Sequence, residues 1–392
     1  MMATLPVSTA GIMLIAVVMV LGGLKLASAV VAPAMLALFI IALAWPLQGW
    51  LQAKLPRLAA LVLTLLTILA AFALLSSVGT WAFSHVGRWT MANAQTFQAT
   101  YDRAANWLEG HGIAVAGIWA EHFSAGWVLG LIQRLTAHIN ATITFSLVVL
   151  IYVALGLVEV DAIAARIRSL PRKPLARAIL EGCAETARKW RRFMVVRTLM
   201  SVLTGTLVWI FAVALGLPLA REWGVIAFVF NYIPIIGPFF ATLLPTLISA
   251  VQMESWQSVA TVLGCMWSIQ LIVGSYVEPR LYGSALTISP TIVLFSIFLW
   301  TYLWGLPGTV LGVPIAVAAL TFCRIDPRTE WLATLASTAP PQGDPRLAAE
   351  GGFPREPAAP TTSTKRMGGE TIHTDQAVAL RERGSWHTRW VK

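Results

Sequence analysis

Glu278 and Arg280 stand either side of Pro279 in "SYVEPRLYGSALTISP", residues 275–290, and they interrupt a stretch from 255 to 323 that carries no other Asp, Glu, Lys or Arg. A charged side chain at the centre of a bilayer costs about 2.5 to 3.5 kcal/mol on insertion scales, so these two must be paired or lie near a surface. The proline between them is expected to end the preceding helix, because it brings no N–H and its ring meets the carbonyl four residues back. Two readings stay open: an interfacial loop stapled by a local Glu278–Arg280 ion pair, or a polar gate or coupling site.

Proline and glycine supply a second kind of chemistry. "NYIPIIGPFFATLLP", residues 231–245, sets Pro234, Gly237, Pro238 and Pro245 into an apolar run, and "GLPGTVLGVP", residues 305–314, does the same with Pro307, Gly308 and Pro314. In both, two prolines stand seven residues apart with a glycine beside the first. Such clusters are expected to free backbone groups at membrane depth, where they persist only if buried in protein or facing a watery cavity. In secondary transporters, paired interrupted segments supply polar ligands to a substrate without any charged side chain. The breaks therefore mark a binding site or gate, set against the plainer reading of kinks that fit helix packing. Asn231, Thr242, Gln270, Ser275 and Tyr276 are the uncharged polar residues expected to face a pathway, although such residues also serve helix packing.

Other chemistries are not signalled. There is no HExxH, no GxSxG and no paired intramembrane aspartates, so no catalytic residue is assigned and the chain is not expected to be an enzyme. Cys183, Cys265 and Cys323 lie far apart with no CxxC and no neighbouring His, which argues for neither a disulfide framework nor a metal site. No cofactor is expected. Without a GxxxxGK[ST] loop, any active transport would draw on an ion gradient or a partner.

The elements that must hold these residues are membrane helices. The chain of 392 residues is 57% hydrophobic and 12% charged, against about a quarter charged in soluble domains. Eight charge-free runs exceed 20 residues: 1–24, 26–53, 58–87, 135–158, 198–220, 223–253, 255–277 and 281–323. Each is long enough to cross a bilayer core as a helix, and no alternating barrel strands are in view. The fold expected is an all-α polytopic membrane protein of about eight transmembrane helices. The runs 223–253 and 281–323 would extend about 46 and about 64 Å as straight helices, against a core of about 30 Å, so both are expected to be broken or re-entrant at their Pro/Gly clusters. Ala27-Ser28-Ala29 resembles a signal-peptidase site, but no basic residue precedes the first apolar run, so that span is expected to be retained.

Charge sets the orientation. Between Asp161 and Arg192 lie nine basic residues, Arg166, Arg168, Arg172, Lys173, Arg177, Arg188, Lys189, Arg191 and Arg192, which place the segment 161–193 in the cytoplasm. Residues 84–134 hold three basic and three acidic residues and belong outside; Phe97, Tyr101, Ala104 and Leu108 recur there at helical spacing, as in an amphipathic helix lying at the interface. Counting spans puts both termini in the cytoplasm. The formal charge of +10 is referred to the bilayer and its anionic headgroups rather than to nucleic acid. Residues 1–335 form the transmembrane permease domain, and the Pro-, Gly- and Thr-rich tail 336–392 is expected to be disordered.

The second half of the chain resembles the autoinducer-2 exporter family of permeases. The likeness covers about residues 10–335 and is strongest from Val195. "GLPLAREWGVIAFVFNYIPIIGPFFA" is similar to the family's I-P-x-x-G-P element, "YVEPRLYGSALTISPTIVLF" to its E-P-R-x-x-G…S-P signature, and "WGLPGTVLGVPIAVAAL" to its G-x-x-G-x-x-x-x-x-P ending. The resemblance implies a bacterial inner-membrane permease that forms homo-oligomers and exports small polar solutes, autoinducer-2 among them, with sodium or lithium/proton exchange in some members. By motif position Pro234, Gly237, Pro238, Glu278, Pro279, Arg280, Gly283, Pro290, Gly308 and Pro314 carry over. Ser284 stands where a basic residue is common, and Gly274 and Ser275 stand where many members have an acidic or amide residue; this second departure weakens cation/proton coupling here. The competing reading from another class is a non-transporting membrane scaffold, which has no need of broken spans.

Overall fold

The computed structural model of the chain describes residues 7–110, 125–253, 255–282, 288–325 and 329–337. Gly283, Ser284 and the tail from 338 lie outside the described residues.

All eight charge-free runs are mainly helical where they are described, with breaks at 215–219, 231–235 and Gly305. In chain order the helices are α1 (Val7–Leu26), α2 (Ser28–Gln52), α3 (Arg57–Ala92), α4 (Ala94–Gly110), α5 (Ala125–Arg168), α6 (Lys173–Ala214), α7 (Ala220–Phe230), α8 (Ile236–Gln252), α9 (Trp256–Ile272), α10 (Glu278–Tyr282), α11 (Pro290–Trp304), α12 (Leu306–Ile325) and α13 (Glu330–Leu335). A π-helical turn, Val273–Val277, joins α9 to α10. Six segments are long and apolar enough to cross a membrane, on α2, α3, α5, α6, α9–α10 and α12, and shorter apolar helices include Ile236–Gln252 and Pro290–Trp304. Outward-facing Leu66, Leu69 and Leu74 of α3 and Trp209, Ile210 and Val213 of α6 give the body the apolar surface that a bilayer solvates. The chain is an all-α polytopic membrane protein.

Both over-long runs turn back on themselves. α7 pairs antiparallel with α6: Gly224 lies against Trp209 and Gly205, and Asn231 reaches Ser201. After a turn at 231–235, α8 folds back, with Phe230 against Phe240 at 5.9 Å. α11 and α12 form a second hairpin, in which Thr301 meets Thr309 at 2.8 Å and the Ser296 hydroxyl donates to the Gly312 carbonyl at 2.7 Å. The segment before this hairpin meets the one after α13, where Ile288 bridges Ser337. α12 runs antiparallel to α6, since Trp190 meets Pro314 whereas Phe322 and Ile325 cover Gly182. Gly305 stands nine residues before Pro314, so the tip of this hairpin extends about 13 Å beyond the level of Trp190, close to that of Arg197. The two tips therefore point in opposite directions along α6.

Two glycines make the returns possible. A Cβ on Gly237 would lie 1.9 Å from the Phe230 carbonyl oxygen, and one on Gly308 would lie 1.8 Å from that of Trp300. Packing continues into apolar cores, of which two flank the hairpins. Trp223 and Ile226 of α7 meet Ala82 and Val86 of α3, Val208 of α6, Leu244 and Ile248 of α8, and Met266 of α9. Phe39 of α2 packs with Trp190 and Phe193 of α6 and with Leu311 and Val317 of α12.

One expectation about proline is corrected. Pro279 does not end the helix; the chain passes through it by a π turn, with the Glu278 N–H donating to the Val273 carbonyl. The wider turn shifts the backbone where the proline ring would meet a carbonyl, and Pro279 sits in the first turn of α10, where a missing N–H costs little.

Candidate functional site

α6 passes from a basic stretch into an apolar one at Arg197, which is 5% exposed. Burying a guanidinium requires a partner, and α10 supplies it: Arg197 Nη1 lies 2.8 Å from Glu278 Oε1. The local Glu278–Arg280 staple is not the pair formed, and Pro279 and Arg280 are exposed. The ion pair leaves two donors over. Among the described residues Arg197 Nε and Tyr282 Oη are buried without a hydrogen-bond partner, as are the Thr186 and Thr204 hydroxyls elsewhere on α6, and the Tyr282 ring stacks on Phe193 at 6.0 Å.

The first hairpin tip closes the same site. Ser201, one turn along α6, donates to the Arg197 carbonyl, and the Asn231 amide donates to Ser201 Oγ at 3.2 Å. The Tyr232 hydroxyl donates to Thr198 Oγ1 at 3.1 Å. Between these anchors and α8 the backbone makes a γ-turn: Ile235 has φ 67° and ψ −55°, and the Ile236 N–H donates to the Pro234 carbonyl at 2.7 Å. This is the positive-φ γ-turn, a strained form, here imposed on a β-branched residue. Pro238 helps explain it, since it cannot donate to the Pro234 carbonyl in helical fashion and Ile236 takes that role.

Of the residues singled out in the sequence, Asn231, Pro234, Gly237, Pro238 and Glu278 meet at or beside this site. Pro245, Pro307, Gly308 and Pro314 shape the two hairpins, with Pro245 and Pro314 inside helices and buried. Pro290 is the exposed first residue of α11. Thr242 is buried within α8, Ser275 and Tyr276 are exposed, and Gln270 is half-buried on α9. Arg197, Ser201 and Tyr282 were missed. The signal for Arg197 was present: it is a single charge four apolar residues beyond the basic run, directly before 198–220.

Polar ligands here are side chains more than freed carbonyls, because the carbonyls that Pro46 and Pro238 leave open are covered. Pro46 leaves the Ala42 carbonyl of α2 without its helical donor, and Arg191 Nη1 donates to it at 2.9 Å. Trp190 Nε1 donates to the Pro314 carbonyl at 2.8 Å, and Lys189 reaches Thr321 of α12 at 3.1 Å. The stretch Lys189–Arg192, expected to face lipid headgroups, thus turns several of its polar groups inward to stitch α6 to α2 and α12.

A second polar pair lies at the far end of α7. His85 Nδ1 of α3 is 2.9 Å from Oε1 of Glu222, which is buried in the first turn of α7. Among the described residues no cluster of His, Cys, Asp or Glu is arranged to hold a metal. The Arg197 site can accept hydrogen bonds from, or donate them to, a small polar molecule, and it can change with the turn that closes it.

Comparison with known proteins places this architecture. The model of the AI-2E family transporter matches residues 14–325. The AI-2 transport protein TqsA of Escherichia coli K12 is 27% identical over 312 residues, covering 78% of this chain and 89% of that protein. A Haemophilus influenzae protein, provisionally named a transport protein, is 24% identical over 339 residues, 82% of this chain and 93% of its own. Residues 14–325 take in the broken spans and the Arg197–Glu278 pair together, and the chain belongs to the AI-2E transporter family.

Proposed function

We propose that this transporter moves a small polar solute out of the cell, with the solute passing the Arg197–Glu278 pair between the two hairpin tips. The observation that carries the reading is a largely buried ion pair with donors, Arg197 Nε and Tyr282 Oη, that find no partner among the described residues, beside a strained turn. A site that only held helices together would favour filled hydrogen bonds, since an unpaired buried donor costs about 1 to 3 kcal/mol. The cargo proposed is autoinducer-2, which the family resemblance and the name of the Escherichia coli relative support, and the role proposed with it is quorum signalling. It works in the inner membrane as a homo-oligomer with both termini in the cytoplasm.

Purified protein in proteoliposomes tests this. Labelled autoinducer-2 is expected to cross, and Glu278→Gln is expected to slow it. Solute movement that ignores sodium and pH gradients supports facilitated export. Gradient dissipation that Glu278→Gln abolishes, without solute movement, would replace export with cation/proton exchange. Silence in both assays would favour a scaffold.

A further inference from the structure

Glu222 is 8% exposed in the first turn of α7, and its ion-pair partner among the described residues is His85, of the side-chain type that can gain or lose charge in the physiological range. The contact joins α3 to the first turn of α7 across 137 residues of chain. Trp81 covers the imidazole, ring centre to ring centre 4.8 Å. We infer that His85 and Glu222 form a proton-binding site that fastens the start of α7 to α3 when protonated and loosens it when deprotonated.

The surroundings make the proton matter. α8, packed against α7, carries no charge, and every charge on α6 lies at or before Arg197, toward the other end of α7. The nearest charges in sequence on the two partners, Arg88 of α3 and Arg221 of α7, are exposed. α4, against α3, carries Asp102, Arg103 and Glu109; α5 carries Arg134 and His138 in its first half and Glu159, Asp161, Arg166 and Arg168 in its second; α2 carries none. With a proton on the pair, imidazolium and carboxylate neutralise each other. Without it, Glu222 loses the imidazolium and keeps only the helix N-terminus and a neutral hydrogen bond, so the hold of α7 on α3 weakens. The attraction is therefore present at low pH and lost as pH rises.

α7 is short enough to carry the change along its length. It has 11 residues, about 16 Å, and the residue that follows it, Asn231, is the one bonded to Ser201 at the Arg197 site. Movement at the Glu222 end shifts the strained turn at the other. This coupling to solute rests on the transport function proposed above; proton binding by the pair does not.

Cysteine cross-linking of the full chain reads how closely α7 keeps to α3 at its Val229 end, about 10 Å along the helix from Glu222. A Cβ on Gly79 of α3 would lie 3.9 Å from the Val229 side chain of α7, ordinary contact, so Gly79→Cys with Val229→Cys, with Cys183, Cys265 and Cys323 changed to Ser, reports their approach. Cross-linking is expected to fall several-fold from about pH 5 to about pH 8, against the rise that thiolate formation alone would produce. His85→Gln should lock it at the low level and Glu222→Gln at the high level across that range. A fall that persists in His85→Gln, or a wild-type yield that only follows thiolate formation, overturns the proton-linked movement of α7. Flux of labelled autoinducer-2 through wild-type protein is measured separately, so an inactive protein with the pH-dependent contact intact would remove the transport reading and leave this one standing.

Discussion

Arg197 and Glu278 meet across 81 residues of chain, and the consequences of separating them differ from those of replacing both. Arg197→Gln leaves a largely buried carboxylate unpaired and is expected to cost about 3 to 5 kcal/mol, read as a lower midpoint of thermal unfolding in detergent. The double variant Arg197→Met with Glu278→Met removes both charges and should recover most of that stability, yet solute flux should stay lost. Recovery of flux in the double variant would make the pair a structural staple. Arg191 acts differently, since it covers a carbonyl that Pro46 leaves open. Arg191→Ala should cost about 1 to 3 kcal/mol of stability, and a cost no greater than that of an exposed arginine such as Arg188→Ala would show that water replaces it.

Glycine governs the hairpins at the scale of elements. Gly237→Ala and Gly308→Ala would each drive a Cβ into a backbone carbonyl and should sharply lower folded yield, whereas Gly264→Ala, in α9 with nothing within 4 Å, should be neutral or gain up to about 1 kcal/mol. Equal yields from all three variants, compared by size-exclusion chromatography, would contradict the close approach. Much at this scale is legible in sequence: charge-free runs give the spans, and a run of 31 or 43 residues between charges is too long for one crossing. What each proline does is less legible, because neighbours decide it. A π turn carries the helix past Pro279, and Arg191 answers the gap at Pro46 from another helix. The partners of Glu278 and Glu222 lie 81 and 137 residues away, and no local spacing rule reaches that far. The basic run on α6 reads as a surface feature because the carbonyls it serves belong to elements distant in sequence.

Across the whole molecule, α6 and α7 set two polar pairs apart. Arg197–Glu278 lies at the end of the apolar part of α6 nearer its basic stretch, and His85–Glu222 lies at the opposite end of α7. The proposed orientation puts the first toward the cytoplasm and the second toward the outside. Cys183, exposed on the basic part of α6, is a natural reporter: with Cys265 and Cys323 changed to Ser, an impermeant maleimide should label it in inverted vesicles and not in intact cells. Labelling in intact cells would reverse the topology. The central claim, that solute and water reach the site between the hairpin tips, is tested most directly by Asn231→Cys in a cysteine-free chain, exposed in membranes to a charged thiosulfonate reagent, with Ile210→Cys on the apolar flank of α6 for comparison. The account predicts that position 231 reacts and that position 210 does not. Reaction at neither position, in protein that is folded and inserted, would mean that the tips close a dry packing contact and that the pathway lies elsewhere.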